Sequence, residues 1–110
     1  MSKSAVDASL AALADPNRRR IVELLSEHPR RAGELAEAVG VSAPAMSRYL
    51  RTLKAGGLVA AAHPDFDARV RIYTLRRDGM AALKQWLERA EALWVRQLAS
   101  FKEHLESSGQ

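Results

Sequence analysis

The sequence contains no cysteine. That single absence excludes disulfides, thiolate metal sites and cysteine redox sensing, and it fits a cytoplasmic protein. Long apolar stretches are missing too: the longest unbroken runs are about five residues, as in Leu10–Ala14. Runs of that length build neither a signal peptide nor a transmembrane helix, so no membrane partner is expected. Aromatics are scarce, two each of Trp, Tyr and Phe, which leaves aliphatic side chains to make the core. No glycine-rich phosphate cradle and no nucleophile–base set appears. Neither an enzyme nor a cofactor is expected.

What is present is one domain's length of chain, 110 residues with 47% apolar side chains, and a net charge of +4 that is unevenly spread. Residues 1–41 carry six basic and six acidic side chains, and residues 78–110 carry four and five. Residues 42–77 hold Arg48, Arg51, Lys54, Arg69, Arg71, Arg76 and Arg77 against only Asp65 and Asp67. Such a concentration is the electrostatic footprint of a polyanion-binding surface. No helix pairs a basic face with large exposed apolar residues, as a membrane surface would require. Nucleic acid is the better partner.

The centre of the basic region is Ser42–Ala55, SAPAMSRYLRTLKA. Ser42 is a good N-cap, and Pro44 falls in the first turn, where a missing N–H costs nothing. Met46, Tyr49, Leu50 and Leu53 make one apolar stripe at helical spacing. Pro44, Ser47, Arg48, Arg51 and Ala55 share the opposite face, with two arginines and no carboxylate. That face can lie on a polyanion and bring donors to base edges. Gly56-Gly57 ends the helix. In front of it, Gly33–Val39 forms a short helix facing Leu35, Ala36 and Val39 inward, and Gly40-Val41-Ser42 connects the two tightly. Helix, short glycine turn and capped helix is the helix-turn-helix pattern, although an ordinary αα-hairpin has the same spacing.

The flanking chain completes an architecture. Val6, Leu10 and Leu13 predict an amphipathic helix over Ala5–Ala14, after a frayed Met1–Ser4. Asp15-Pro16 starts a second helix over Pro16–Glu27, burying Ile21, Val22, Leu24 and Leu25, and His28-Pro29 stops it. Arg18, Arg19 and Arg20 in its first turns oppose the helix dipole. They call for an acidic neighbour, or else for a DNA phosphate. Leu58–His63 reads as a weak strand, Pro64–Ala68 as a loop, and the alternating Arg69–Leu75 as a half-buried strand. A hairpin directly after the helix-turn-helix is the wing of a winged helix. From Arg77 to Leu105 a helix of about 29 residues, about 43 Å long, carries Met80, Leu83, Leu87, Ala90, Trp94, Leu98, Phe101 and Leu105 on one stripe, flanked by Trp86 and Leu93. Its own domain is too small to cover that stripe.

Three stretches together resemble the ArsR/SmtB family of bacterial winged-helix repressors. They are Leu13–Leu25 (LADPNRRRIVELL), Glu34–Val59 (ELAEAVGVSAPAMSRYLRTLKAGGLV) and RVRIYTL. The resemblance covers about Leu10–Leu87. It implies an αααα-ββ-α fold, mainly helical with a small β-hairpin, in which the first and last helices form a homodimer. By position it implies that Ser42, Pro44, Ala45, Ser47, Arg48 and Arg51 face DNA, with Arg69 near the wing tip. Tyr49 stands where the family usually has His. Where metal-sensing members place cysteines, this chain has Arg31 and Gly33, and its last helix holds one histidine, His104. Neither family metal site transfers, and the Trp-rich last helix looks more like a non-metal subgroup.

The remaining conspicuous residues have plain roles. His28 would meet the last carbonyls of its helix, His63 a strand end, and His104 solvent. Trp86 and Trp94 read as core or dimer contacts, and Asp65 and Asp67 as a solvated turn. The expected protein is thus a single winged helix-turn-helix domain over residues 1–106, with dimerisation helices at 5–14 and 77–105 and a flexible tail at 107–110. It would be a homodimeric, DNA-binding transcriptional regulator, most simply a repressor, reading the major groove with helix 43–55. Ser42, Pro44, Ala45, Ser47, Arg48, Arg51, Arg69 and Arg71 would face DNA, and Leu10, Leu13, Leu87, Trp94, Leu98 and Phe101 the partner protomer. No residue pattern specifies an effector ligand. A winged-helix protein–protein module without DNA binding is the alternative, and non-specific chromosome binding a third possibility.

Overall fold

Caps and apolar spacing divide the chain into α1 (Ala5–Ala12), α2 (Pro16–Glu27), β1 (Arg30–Arg31), α3 (Ala32–Val39), α4 (Ala43–Ala55), β2 (Val59–Ala62), β3 (Ile72–Leu75) and α5 (Arg77–Ser108). These elements come from a computed structural model that describes residues 4–63 and 69–109. The expected loop at 64–68 lies outside the described residues, as do Met1–Lys3 and Gln110.

Ser4 is ordered by its own chemistry rather than frayed. Its hydroxyl accepts from the Asp7 N–H at 3.1 Å and the Asp7 carboxylate accepts from the Ser4 N–H, which is a capping box. The helix stops at Ala12, two residues short of expectation. The Arg18 Nε donates to the Ala12 carbonyl at 2.6 Å and an Arg19 nitrogen to the Leu13 carbonyl at 2.8 Å. These cations find the negative end of the α1 dipole rather than an acidic side chain. Arg20 pairs with Glu23 instead.

The buried face of α1 also differs from the expected Val6/Leu10/Leu13 stripe. Ser9 and Ala12 are the buried residues, and Leu10 remains 36% exposed. The cause is a close crossing with the end of α4, which only small residues permit. A Cβ on Gly56 would stand 2.9 Å from the Ala12 Cβ, and the Ser9 hydroxyl donates to the Gly56 carbonyl at 2.8 Å. Leu13 packs, half-buried, against the core of its own protomer.

That core joins α2 to the helix-turn-helix and sheet: Ile21, Leu24 and Leu25 meet Leu35, Met46, Leu50, Leu53, Leu58, Val59 and Tyr73. The sheet has three strands in the order β1-β3-β2, all antiparallel, rather than the two of a simple hairpin. β1 contributes only backbone pairing, Arg30↔Tyr73 and Arg31↔Ile72. Two arginines carry no strand periodicity, so it had no sequence signal. The third strand is shorter than expected, because pairing with β2 reaches Ala62↔Ile72 and goes no further among the described residues. Tyr73, 6% exposed, is its core anchor, while Ile72 and Thr74 are half-buried.

α5 runs 32 residues, about 48 Å at 1.5 Å per residue. Helix continues through Ser107 and Ser108, which had been expected to be tail: the Ser108 hydroxyl donates to the His104 carbonyl and the Gly109 N–H to that of Leu105. Its base is pressed against the turn after α4, where a Cβ on Gly79 would fall 2.0 Å from the Gly57 oxygen. Leu83 is the one buried residue of α5. Beyond it Leu87, Leu93, Trp94, Val95, Leu98, Phe101 and Leu105 are all exposed. The radius of gyration is 19.3 Å, against about 13 Å for a compact chain of this length, because the second half of α5 projects from the body.

Candidate nucleic-acid interface

α4 is set by its two ends and one side. Gly40 takes φ 80°, a left-handed conformation that ends α3 and turns the chain toward α4. The Ser42 hydroxyl then accepts from the Ala45 N–H at 3.2 Å. Met46, Leu50 and Leu53 are buried, and the Tyr49 hydroxyl accepts from the Asn17 side-chain amide at 3.0 Å, tying α4 to α2. With one side so anchored, Ser42, Pro44, Ser47, Arg48, Arg51 and Ala55 are left exposed, and Ala45 half-buried at the edge.

The wing adds to this face. Ser47, Leu50, Arg51, Lys54, Arg71 and Tyr73 line one cleft of about 220 Å³. Arg71 shares the strand parity of Tyr73, so burying Tyr73 in the core sends Arg71 toward α4. Lys54 had not been singled out in the sequence. Its signal was there: it follows Ser47 by seven residues, two helical turns, and Arg51 by three. Arg69 is exposed beside the wing.

Charge pairing separates the cations into two groups. Arg18 and Arg19 cap α1. Arg30 pairs with Glu27 and donates to the Leu24 carbonyl, and Arg76 pairs with Asp78. The Arg76 guanidinium holds the Asp78 carboxyl below its usual range, the mark of a neutralised pair. By contrast, the side chains of Arg48, Arg51, Lys54 and Arg71 have no protein partner among the described residues. Their charge is available to an external anion.

The other conspicuous side chains do not converge on a site. His28 Nδ1 lies 2.8 Å from the Pro29 carbonyl, past the helix end rather than on its last carbonyls; the Arg30 guanidinium takes the Leu24 carbonyl there. His63 Nδ1 lies 3.0 Å from the Val70 carbonyl, bridging the wing strands. His104 is exposed on α5. Asp65 and Asp67 lie outside the described residues. Among the described residues no cluster of His, Cys, Asp and Glu could hold a metal ion, and no helix is long and apolar enough to cross a membrane. Of the expected dimer residues, Leu10, Leu87, Trp94, Leu98 and Phe101 are exposed, and Leu13 is not. Val95 adds an exposed apolar side chain that the stripe did not include.

Residues 15–61 match the family described as bacterial regulatory protein, arsR family. The chain is 40% identical over 104 residues to the HTH-type transcriptional regulator Rv2034 of Mycobacterium tuberculosis, covering 94% of this chain and 91% of that one. Over 49 residues, 44% of this chain and 54% of the other, it is 37% identical to the transcriptional repressor SdpR of Bacillus subtilis. Among solved structures, an ArsR-like transcriptional regulator from Rhodococcus sp. RHA1 superposes with a TM-score of 0.74 at 30% identity, over 90% of this chain and 91% of that one. A capped, carboxylate-free helix on a three-stranded wing, in a chain this similar to such regulators along nearly its whole length, places the protein in the ArsR family of winged helix-turn-helix, DNA-binding transcriptional regulators.

Proposed function

We propose that this protein is a homodimeric repressor that reads operator DNA in the major groove with α4. The outer face of that helix carries the proposal: Arg48 and Arg51 are exposed, have no protein partner among the described residues, and share their surface with no carboxylate. A helix of this width fits the major groove, where guanine presents O6 and N7 to a bidentate arginine. Arg48 and Arg51 are the base-edge donors. Ser42, Pro44, Ala45 and Ser47 allow the close approach of the first turns. Lys54 and Arg71 in the adjoining cleft, with Arg69 beyond, take backbone phosphates. Leu10 and the α5 stripe of Leu87, Trp94, Leu98 and Phe101 join the protomers, while Leu13 serves its own core.

Arg48→Ala or Arg51→Ala is expected to weaken operator binding by about 1–3 kcal/mol, roughly fivefold to 150-fold, and to relax sequence preference. Gel shifts on the protein's own promoter and on scrambled duplex measure both. Wild-type affinity in both variants would show that this is not the reading face. Absence of any salt-dependent binding to duplex DNA would favour the protein–protein module instead.

Lys54→Ala and Arg71→Ala should act differently. Each removes a phosphate contact, so specific and scrambled duplex weaken together and the slope of log K against log salt falls by roughly one unit. A change of sequence preference in either variant would move that residue from the backbone to the bases.

With no thiolate in the chain, micromolar zinc, cadmium or arsenite and mild oxidants should leave the protein–DNA complex intact. Metal-induced release reversed by a chelator is the result that contradicts this.

A further inference from the structure

The apolar stripe of α5 is palindromic. Leu87, Ala90, Trp94, Leu98 and Phe101 follow at steps of three, four, four and three residues. One more leucine stands four residues beyond each end, Leu83 and Leu105. The spacing therefore reads the same in both directions from Trp94, whose side chain is 59% exposed. We infer that two copies of α5 pack antiparallel with the two-fold axis at Trp94. This rests on the homodimer proposed above and specifies its register.

At that register a two-fold operator sets Trp94 against the partner's Trp94, Leu98 against the partner's Ala90 and Phe101 against the partner's Leu87. Large meets small in the layers beside the axis, and large meets large one layer further out. Leu105 reaches the level of the partner's Leu83, the buried end of the stripe. The step of four repeated at the centre is a stutter, which relaxes left-handed supercoiling and lets the two helices run nearly straight past each other.

Charge gives a second, independent argument. On a helical wheel Lys84, Glu88, Glu91, Lys102 and Glu106 lie along one edge of the stripe. Trp86, Leu93, Gln97 and His104 lie along the other. In an antiparallel two-fold pair each edge meets the same edge of its partner; in a parallel pair it meets the opposite edge. Antiparallel packing thus sets the charged edge, which also holds Val95, beside its like, and the uncharged edge of Trp86, Leu93, Gln97 and His104 beside its like. With the axis at Trp94, Lys102 comes within two residue steps of the partner's Glu88, and Lys84 within two of the partner's Glu106. Two steps are about 3 Å along the axis, within reach of these side chains. Symmetry makes four such pairs, against two Lys84–Lys102 contacts at the same offset. A parallel pair would lay the charged edge against Trp86 and Leu93 and form none of them.

The absence of native cysteine makes the register directly measurable. Trp94→Cys, oxidised mildly, should cross-link to itself. Phe101→Cys alone should not, but mixed with Leu87→Cys it should yield the mixed covalent dimer. The Ala90→Cys and Leu98→Cys mixture reads the adjacent layer with Trp94 intact, should loss of that side chain weaken the pair. Lys102→Glu should raise the dimer dissociation constant several-fold at low salt, and adding Glu88→Lys should restore it. Self-cross-linking at 101, or failure of both mixed pairs in a sample that sediments as a dimer, overturns the register and leaves the homodimer standing. A wild-type protein that sediments as a monomer at micromolar concentration overturns both. A charge swap that fails to restore dimerisation, with the cross-links present, removes the ion pairs and with them the edge argument.

Discussion

Leu98→Asp is expected to leave a folded protomer that no longer dimerises and that binds operator only at the non-specific level. Leu98 lies on the projecting half of α5, 47% exposed, and belongs to no part of the protomer's core, so its loss costs the single chain little. In a dimer the same position counts twice. Each large apolar side chain withdrawn from water contributes about 1.5–3 kcal/mol, and the substitution puts an unpaired carboxylate in its place, which burial penalises further.

Affinity for DNA is expected to follow assembly. Two recognition helices about 34 Å apart meet successive major grooves on one side of the duplex, and specific complexes of this kind reach about 10⁻⁸–10⁻¹¹ M. A lone head retains its phosphate contacts and falls to about 10⁻⁴–10⁻⁶ M. Sedimentation and gel shift on one sample measure both consequences. A variant that remains dimeric, or a monomer with wild-type operator affinity, would sink the coupling of α5 to recognition.

Gly79→Ala sets two effects against each other, and their sizes decide the sign. Gly79 is the third residue of α5, and alanine in a helix is favoured over glycine by up to about 1 kcal/mol. The new Cβ, however, would lie 2.0 Å from the Gly57 oxygen and 2.9 Å from its carbonyl carbon. These are backbone atoms, and Gly57 is held at φ 74° by the turn that ends α4, so the neighbour has no easy way to yield. Overpacking of this kind costs about 1–3 kcal/mol and sometimes more; a clash with main chain belongs at the upper end.

A net loss of about 2 kcal/mol or more is expected, a large share of a total of roughly 5–15 kcal/mol. Gly33→Ala is the control. Gly33 is helical and has nothing within 4 Å of its added Cβ, so that variant should gain roughly 0.5 kcal/mol. Urea midpoints compare the two. Equal midpoints for both variants would mean that α5 does not rest on the end of α4.

Most of the helical layout and the exposed outer face of α4 were legible because they rest on short-range rules. Asp15 caps α2 from the sequence alone, its carboxylate accepting from the N–H groups of Asn17 and Arg18, and α2 spans the expected Pro16–Glu27. The apolar stripe of Met46, Leu50 and Leu53 turned inward as its period required, leaving Arg48 and Arg51 outside. β1 was not legible, since two arginines are drawn into the sheet only by the free edge of β3. Lys54 was counted in the basic stretch but not placed among the DNA-facing residues, although its spacing marked it. Its company with Arg71 was hidden, because that residue arrives from the chain leading into β3, seventeen residues further on.

Local physics therefore determined, within the sequence, which segments are helices, where they start, and which side of α4 carries donors without carboxylates. Capping, period and composition act within a turn or two and need no distant partner. Tertiary structure alone decided which face of α1 is buried. The apolar stripe favoured Val6, Leu10 and Leu13, but α1 crosses Gly56 too closely for large side chains, so Ser9 and Ala12 went in. It decided likewise that Arg18 and Arg19 cap a neighbouring helix, and that Arg71 rather than the alternate face of its strand joins α4. Each of these outcomes depends on a contact between segments distant in the chain. Periodicity states that a face must be covered; the packed neighbour determines which one.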